Sequence, residues 1–208
     1  MFSKKYQLLY EDSDLIIVNK GPNLISRDDP NSLEALLGYS LAHRLDKQTT
    51  GLMIAAKNEW SLNRLLQDFK RRNITKLYQL VVPISRHLLS SGVVNLSLKR
   101  NHSNRKMQSF PGGKKEAITY YRVLQKGPKY ALVECNIRTG RTHQIRVHMS
   151  TLGCPILGDV LYGPKNNIPE LMLHASQIEF QHPTSKQMMA FKSDWWSTKI
   201  PYLKSYIA

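Results

Sequence analysis

The sequence predicts an α+β fold. Apolar runs of strand length outnumber helical patterns, and the two kinds do not alternate regularly, which argues against a doubly wound parallel sheet. At 208 residues, of which 41% are apolar, the chain is long enough for one substantial core or for two lobes flanking a cleft. We therefore expect residues 1–208 to form a single domain.

The first third of the chain is predicted to be strand-rich, with one helix. Residues 7–19 indicate a strand, an acidic turn and a short buried strand over 15–18, and residues 52–56 form another apolar run. Asn58 is the expected N-cap of a helix with basic side chains on its other faces. Its apolar stripe repeats at i, i+3, i+4 and i+7 and consists of Leu62, Leu65, Leu66 and Phe69.

The rest of the chain is predicted to contain more strands and a second helix. The strands are expected at 77–82, 93–98, 118–124, 130–137 and 177–180. The second helix is expected to begin with Thr142 as N-cap and to end before Gly153. Ile145, Met149 and Leu152 form its packing stripe.

The charge indicates a polyanionic partner. Thirty Lys and Arg residues against fifteen Asp and Glu residues give a net charge of +15. A field of that size attracts RNA, DNA and anionic membrane surfaces alike. Residues 99–129 carry nine basic residues and one acid, Glu116, interleaved with Asn and Gly. This pattern predicts a mobile loop that contacts phosphates, with a merely solvated face as the alternative.

Several classes of protein are disfavoured. No apolar run approaches the roughly eighteen residues that would span a bilayer, and no signal core follows Met1, so we expect a cytoplasmic protein. Cys135 and Cys154 form neither a disulfide framework nor a CxxC pair, and we expect both to be small buried side chains. The seven histidines show no HExxH or paired Cys/His spacing, so no metal is expected.

Three segments carry candidate chemistry. The first is HRLDKQTTGL at 43–52, in which Asp46 lies between a cation and a Thr/Gly turn. Such an aspartate is usually a turn-capping carboxylate. A kinase catalytic loop does not fit, because Leu45 intervenes and the sequence has no Gly-rich phosphate loop or DFG.

The second and third segments are KLY at 76–78 and RTGRTHQIRVH at 138–148. A tyrosine that enters a strand is more often core than catalytic. The third segment places three arginines and two histidines in eleven residues without an acid. Buried cations at that density are costly unless an anion or a carboxylate compensates them.

In order and spacing, these segments resemble the motifs of RluA-type pseudouridine synthases. That family shows an HRLDxxTSG block, a KxY block, and a GRxHQIRVH block followed by LGxPILGDxxYG, which here reads LGCPILGDVLYG at 152–163. The opening LLYEDSDLIIVNK and the later Leu173-His174-Ala175 with His182-Pro183 are similar to the flanking motifs. The resemblance covers about residues 6–191, with two departures. Gly21-Pro22-Asn23-Leu24 follows Lys20 where the family usually has PxGL, and Thr50 stands where Ser is commoner.

The resemblance implies a mixed, mainly antiparallel central sheet with flanking helices and a basic active-site cleft. It implies a cofactor-free isomerase that flips chosen uridines out of a ribosomal or transfer RNA stem-loop and converts them to pseudouridine. Many relatives carry an N-terminal S4 RNA-binding domain. Because the first motif begins within ten residues of Met1, we expect no such domain here, and we expect a monomer.

The resemblance also assigns roles to residues. Asp46 is the catalytic carboxylate, Arg146 pairs with it and holds it ionised, and Tyr78 lies against the flipped uracil. Arg44 occupies or braces the space that the base vacates. Phosphate contacts are expected from Lys76, Arg105, Lys106 and Arg141.

Two other functions fit some of the same features. A non-catalytic RNA chaperone or ribosome-assembly factor on this fold would have the same charge. A DNA-binding repressor is the third possibility, but we find no helix-turn-helix pattern. Asp46, Tyr78 and Arg146 together favour the enzyme, because a pure binder has no need for an ionised aspartate in an RNA-binding cleft.

Overall fold

A computed structural model of the chain describes residues 5–101, 106–113, 116–164 and 168–195. These residues fall into two compact units. The first unit contains residues 5–76 and 174–195, and the second contains residues 77–173. Arg105 lies outside the described residues.

The described residues form twelve strands and three helices, which confirms the α+β class. The strands are β1 Tyr6–Glu11, β2 Leu15–Lys20, β3 Ser40–Leu41, β4 Thr50–Ala56, β5 Thr75–Pro83, β6 Ser91–Asn95, β7 Ser97–Arg100, β8 Met107–Phe110, β9 Ile118–Lys126, β10 Tyr130–Ile137, β11 Leu173–Gln181 and β12 Met188–Lys192. The helices are α1 Leu33–Leu37, α2 Glu59–Arg71 and α3 Gln144–Thr151. None of the three is long and apolar enough to cross a membrane.

The sheet of the first unit is mixed. Antiparallel pairs join β1 to β2, β2 to β4, β3 to β4 and β11 to β12, whereas β11 runs parallel to β4. Every residue of β2 and β4 is buried, and residues 15–18 and 52–56 form continuous apolar runs within these strands. The core on this sheet includes Leu15, Ile54, Leu65 and Phe180. It therefore joins the predicted 15–18 and 52–56 runs to α2.

The sheet of the second unit is antiparallel. Strand β10 lies between β5 and β9, and β6 extends the sheet beyond β9. A separate hairpin pairs β7 with β8, from Ser97 opposite Phe110 to Arg100 opposite Met107. The two cysteines, Cys135 and Cys154, are buried and unbonded to one another, as predicted.

The structure corrects the predictions for residues 93–129. The predicted strand 93–98 is two strands, β6 and β7, which belong to different sheets. The expected mobile loop contains β7, β8 and β9, so its described residues are largely ordered in ladders. Among its described residues, Asn101, Gly112, Gly113 and Gly127 lie between strands, and a composition count does not distinguish such positions from a mobile loop.

The helices also depart from the patterns that predicted them. Asn58 caps α2 as predicted, since its side chain accepts from the Ser61 N–H at 2.8 Å. However, Leu66 is exposed, whereas the acidic Asp68 is buried. Thr142 is not the N-cap of α3. That position is taken by His143, which has a left-handed φ of 56° and no side-chain capping bond.

Candidate functional site

The turn that carries Asp46 is fixed by the residue before it. Strand β3 pairs with the end of β4, and Leu45 follows as a buried side chain. The buried Ser26 hydroxyl donates to the Leu45 carbonyl at 2.7 Å and accepts from the Leu45 N–H at 3.0 Å. The Thr49 N–H then donates to the Asp46 carbonyl at 3.1 Å, which closes the turn into β4.

A buried lysine fixes the other side of Asp46. Lys20, at the end of β2, is fully buried, and its Nζ donates to the carbonyls of Gly21, Leu24 and Lys47 at 3.0, 2.9 and 3.2 Å. Burial lowers the pKa of Lys20 to about 7, against the opposing charge of Asp46. Since Lys47 follows Asp46, side chains distant in sequence hold the backbone on both sides of this carboxylate.

The Thr-Gly pair after the turn has a structural explanation. Gly51 has φ +118°, and a Cβ there would lie 2.4 Å from the Ala175 carbonyl oxygen, so only glycine allows β4 to approach β11 this closely. Beside it, the Thr50 hydroxyl lies 2.7 Å from His174 Nδ1, and His174 Nε2 lies 3.0 Å from the Ser193 hydroxyl. The Thr50 hydroxyl thus joins a buried polar chain, which Ser at this position would also supply.

His43 and Lys76 meet on the ring of Phe69. The Phe69 centroid is 4.9 Å from that of His43 and 5.2 Å from Lys76 Nζ. Burial, together with the charges of Lys76 and Arg27, lowers the pKa of His43 to about 3, and burial lowers the pKa of Lys76 to about 8. His43 is therefore neutral at physiological pH, and its Nε2 accepts from the Ile54 N–H at 3.1 Å. This tautomer leaves Nδ1 as the protonated nitrogen.

In the second unit, buried polar side chains of the Arg138–His148 segment bind the neighbouring sheet. The Gln144 Oε1 accepts from the Thr139 hydroxyl at 2.7 Å and from the Arg141 N–H at 3.1 Å, and its Nε2 donates to the Ile118 carbonyl at 2.9 Å. His148 is also buried, between the Thr119 hydroxyl and the Leu96 carbonyl. These two residues tie the start and middle of α3 to the sheet.

Arg146 is buried and is bound by a carboxylate. Its Nε and Nη2 donate to the two oxygens of Asp159, each at 2.8 Å, in a parallel fork. Burial would raise the pKa of Asp159, but the hydrogen bonds and charge of Arg146 and the N–H groups of Leu161 and Tyr162 outweigh it and lower that pKa. The segment therefore has the compensating carboxylate that its density of cations demands.

Tyr162 joins this pair to the β7–β8 hairpin. The Arg146 guanidinium carbon lies 5.2 Å from the centre of the Tyr162 ring. The Tyr162 hydroxyl accepts from the Met107 N–H at 3.0 Å and lies 2.7 Å from His143 Nδ1. Lys106 Nζ donates to the Leu161 carbonyl at 2.6 Å. The basic hairpin is thus fastened to the turn that holds Arg146.

The structure places the predicted site residues in both units. Asp46, half-buried, Arg44, exposed, and Lys76 lie in the first unit. Tyr78, Lys106, Arg141 and Arg146 lie in the second unit. Tyr78 is a buried residue of β5 opposite Cys135. Arg141 is exposed, and its Nε donates to the Glu116 carbonyl at 3.4 Å.

Sequence reasoning missed four residues that hold the candidate residues in place: Lys20 and Ser26 in the first unit, and Asp159 and Tyr162 in the second. The position of Lys20 could have indicated its role, because a lysine at the end of a buried strand has to find hydrogen-bond acceptors. Asp159 could also have been found, as an acid close in sequence to a cluster of cations. No sequence feature indicates the role of Ser26.

One group of side chains among the described residues has metal-ligand composition. Asp12, Asp14 and His182 have ligand atoms within 4.8 Å of one another. His182 Nδ1 accepts from the N–H groups of Thr184 and Ser185, and its Nε2 faces Asp12 at 3.0 Å. These bonds give the group a structural role in joining the β1–β2 turn to the end of β11.

Comparison with known proteins identifies close relatives. Residues 2–151 match the family model described as RNA pseudouridylate synthase. The chain is 35% identical to the ribosomal large subunit pseudouridine synthase D of Buchnera aphidicola subsp. Schizaphis graminum, over 93% of this chain and 69% of that protein. It is 32% identical to the uncharacterized RNA pseudouridine synthase YlyB of Bacillus subtilis, over 89% of this chain and 68% of that protein. The chain spans about two thirds of the length of these relatives.

Solved structures agree with the sequence comparison. The human RNA pseudouridylate synthase domain containing 1 superposes with a TM-score of 0.77 and 27% identity, over 90% of this chain and 82% of that one. The human RNA pseudouridylate synthase domain containing 4 gives a TM-score of 0.73 and 26% identity, over 95% of this chain and 92% of that one.

Proposed function

Because the chain belongs to the RNA pseudouridine synthase family, a family of isomerases, we propose that it converts specific uridines of ribosomal or transfer RNA to pseudouridine. Ribosomal RNA is the first candidate, since the relative from Buchnera aphidicola is named for the ribosomal large subunit. The observation that carries the proposal is the Asp46 turn, whose backbone is held by Ser26 on one side and by Lys20 on the other.

The reaction sets the demands on the site. The N1–C1′ glycosidic bond breaks, the uracil turns while it is held, and a C5–C1′ bond forms. The proton on C5 leaves and N1 ends with a proton, so the product has the same atoms and the same oxidation state as the substrate. The proposed site therefore needs a carboxylate near C1′, a closed pocket and a route for one proton. It needs no redox or group-transfer cofactor.

Asp46 is the proposed carboxylate, and Arg146 is its proposed partner. An aspartate in a base-sized pocket tends to protonate because desolvation disfavours its charge, and a neighbouring cation reverses that tendency. A guanidinium has N–H donors on three nitrogens. It can thus serve a second carboxylate in addition to the Asp159 fork through Nε and Nη2.

The remaining proposed roles concern the RNA. Extruding a uridine from a structured element costs a few kcal/mol, which contacts to the flipped base and to the space it vacates must offset. We assign stacking on the uracil to Tyr78 and the vacated space to Arg44. Lys76, Arg105, Lys106 and Arg141 are the proposed phosphate contacts. The proposed enzyme acts as a cytoplasmic monomer and as one catalytic domain.

Tritium release from RNA labelled with [5-³H]uridine tests the proposal. The wild-type protein should release tritium from ribosomal or transfer RNA of cells that lack it, because the C5 proton is exchanged in each turnover. Asp46→Asn should abolish release while the fold and RNA affinity are kept. Asp28→Asn makes the same chemical change at an exposed position and should behave as wild type.

The outcomes separate the enzyme from its alternative. Retained release in Asp46→Asn would remove this residue from the mechanism. No release by the wild-type protein from any RNA, with tight RNA binding, would favour the chaperone or assembly factor. Where the wild-type protein does release tritium, mapping pseudouridines in all RNA from cells with and without the protein identifies the modified nucleotide.

A further inference from the structure

The charged side chain of Arg146 is buried, and burying a charge is energetically unfavourable. Its side chain is 5% exposed and that of its partner Asp159 is fully buried. A buried charge is tolerated when it is paired and its hydrogen-bonding groups are satisfied, and breaking such a pair leaves the other charge uncompensated. The Asp159 carboxylate therefore fixes the position of the Arg146 guanidinium, and the contacts that hold Asp159 also hold Arg146.

Asp159 is itself fixed by a tight turn. Its Oδ1 accepts from the N–H groups of Leu161 and Tyr162 at 3.0 and 3.1 Å, and its carbonyl accepts from the Gly163 N–H at 2.9 Å. Gly158, directly before it, has φ +76°, and a Cβ there would lie 1.9 Å from the Glu170 carbonyl oxygen. The backbone at this point can accept only glycine, so the start of the turn is fixed, and the two N–H bonds hold the Asp159 carboxylate within it.

The same turn closes over Arg146. The Tyr162 ring packs on the guanidinium, and the Tyr162 carbonyl accepts from the Ser150 hydroxyl of α3 at 2.9 Å. A parallel fork and a packed ring together restrict both the direction and the plane of the guanidinium, whereas a single hydrogen bond would restrict only its distance.

We propose that Asp159 is the positioning residue of the active site, which aims Arg146 through the bidentate fork and acts on the reaction only through it. This inference rests on the proposed function, because Arg146 is the proposed partner of the catalytic Asp46. Asp159 contributes to the catalytic rate, and its effect on RNA affinity is small.

Asp159→Asn is the informative change. Asparagine keeps Oδ1 as the acceptor for Leu161 and Tyr162 but removes the negative charge and one acceptor of the fork. We expect the single-turnover rate of tritium release to fall at least about a hundredfold, as for the loss of one preorganised electrostatic contact. The dissociation constant for the same RNA should change less than about threefold, well below the tenfold that 1.4 kcal/mol represents. Ser150→Ala removes a hydrogen bond to the same turn without touching the fork, and its rate should equal that of wild type.

A double-mutant cycle separates positioning from general damage. In the Arg146→Lys background, where no fork exists, Asp159→Asn should lower the rate by less than about threefold further. Additive rate losses, or a wild-type rate for Asp159→Asn alone, would overturn the inference. An equal loss in Ser150→Ala would overturn it as well, since any disturbance of the turn would then suffice.

Urea unfolding of the same four proteins gives a readout that does not need activity. If Asp159 and Arg146 are coupled, the double variant should lose less stability than the two single variants together. Its urea midpoint should therefore lie above the value expected from adding the two single shifts. Additive midpoints would show that the pair is not coupled, whatever the enzyme does. Failure of the proposed function would appear differently, as a wild-type protein that releases no tritium while the unfolding cycle still shows coupling.

Discussion

Lys20 donates from its buried ammonium to the carbonyl of Lys47, the residue that follows Asp46 in the chain. The two lysines are 27 positions apart, and the same ammonium also binds the carbonyls of Gly21 and Leu24. A cation at the end of an interior strand thus becomes a three-point anchor for the turn that presents the proposed catalytic carboxylate.

Replacing this anchor should cost both stability and activity. Lys20→Met keeps the length of the side chain but leaves three carbonyls without this donor. Two of these hydrogen bonds are buried, and a buried carbonyl left unsatisfied costs about 1–3 kcal/mol. We expect the free energy of unfolding to fall by at least about 2 kcal/mol and kcat to fall more than KM rises, because the carboxylate is displaced. Urea unfolding and steady-state tritium release measure the two effects.

Lys57→Met is the matched control. Lys57 pairs with the partly exposed Glu11 at 2.8 Å, and surface pairs of this kind contribute at most about 1 kcal/mol. Its variant should keep the wild-type rate. A Lys20→Met protein as stable and active as the Lys57→Met protein would show that the anchor has no function.

Tyr78 should act through its ring in binding and through its hydroxyl in chemistry. Tyr78→Phe retains the stacking surface, so RNA affinity should change little, whereas a step after glycosidic cleavage should slow by roughly a hundredfold if the hydroxyl moves a proton. Single-turnover measurements resolve this step. Tyr121→Phe alters another buried tyrosine of the same sheet and should react at the wild-type rate. Equal rates for Tyr78→Phe and wild type would leave the hydroxyl without a chemical part.

The sequence predicted the local parts of this molecule better than its long-range contacts. The N-cap of α2 and the apolar runs of β2 and β4 are short-range signals, and the structure confirms them. The 93–98 strand was misassigned because the change from one sheet to another at Leu96 leaves no mark on hydrophobic periodicity. Helix α1 has only five residues and is too short for a periodic signal.

The same limit applies to the candidate site. The motifs identified the residues proposed to touch the RNA, since those residue types are set by the chemistry. The side chains that hold them in place, such as Ser26 on Leu45 and Asp159 on Arg146, depend on contacts across 19 and 13 positions. Such contacts are fixed by tertiary packing, which a single sequence does not specify residue by residue.

His43 should make the protein sensitive to acid. Its native pKa of about 3 lies below the ordinary value of 6.5, so the unfolded chain binds more protons between these two values. The contribution of His43 to stability is complete above pH 6.5 and is lost as pH falls towards 3, by at most about 1.4 kcal/mol per pH unit. In His43→Gln, which keeps an acceptor for the Ile54 N–H, the loss of unfolding free energy between pH 7.5 and 5 should be smaller. Identical losses in the two proteins would mean that His43 takes up a proton in the native state.

RNA binding should weaken steeply with salt, and the arginines should account for the slope. Each phosphate neutralised by a basic side chain contributes about −0.7 to −0.9 to the slope of log K against log salt. Arg141 is an exposed residue shortly before α3, and its Nε donates a long 3.4 Å bond to the Glu116 carbonyl, so its guanidinium faces solvent where a phosphate can reach it. Arg141→Ala should therefore weaken binding of every RNA tested by a similar factor and reduce the magnitude of the slope by about 1.

Lys57→Ala is the control for that measurement, because its ammonium is already paired with Glu11. The variant carries the same change in net charge as Arg141→Ala, so a general effect of the protein's field on RNA would alter both slopes equally. Loss of a specific phosphate contact would alter the slope of Arg141→Ala alone. Titrations at four or more salt concentrations with one RNA distinguish the two cases. Parallel slopes for wild type and Arg141→Ala would remove this arginine from the RNA interface.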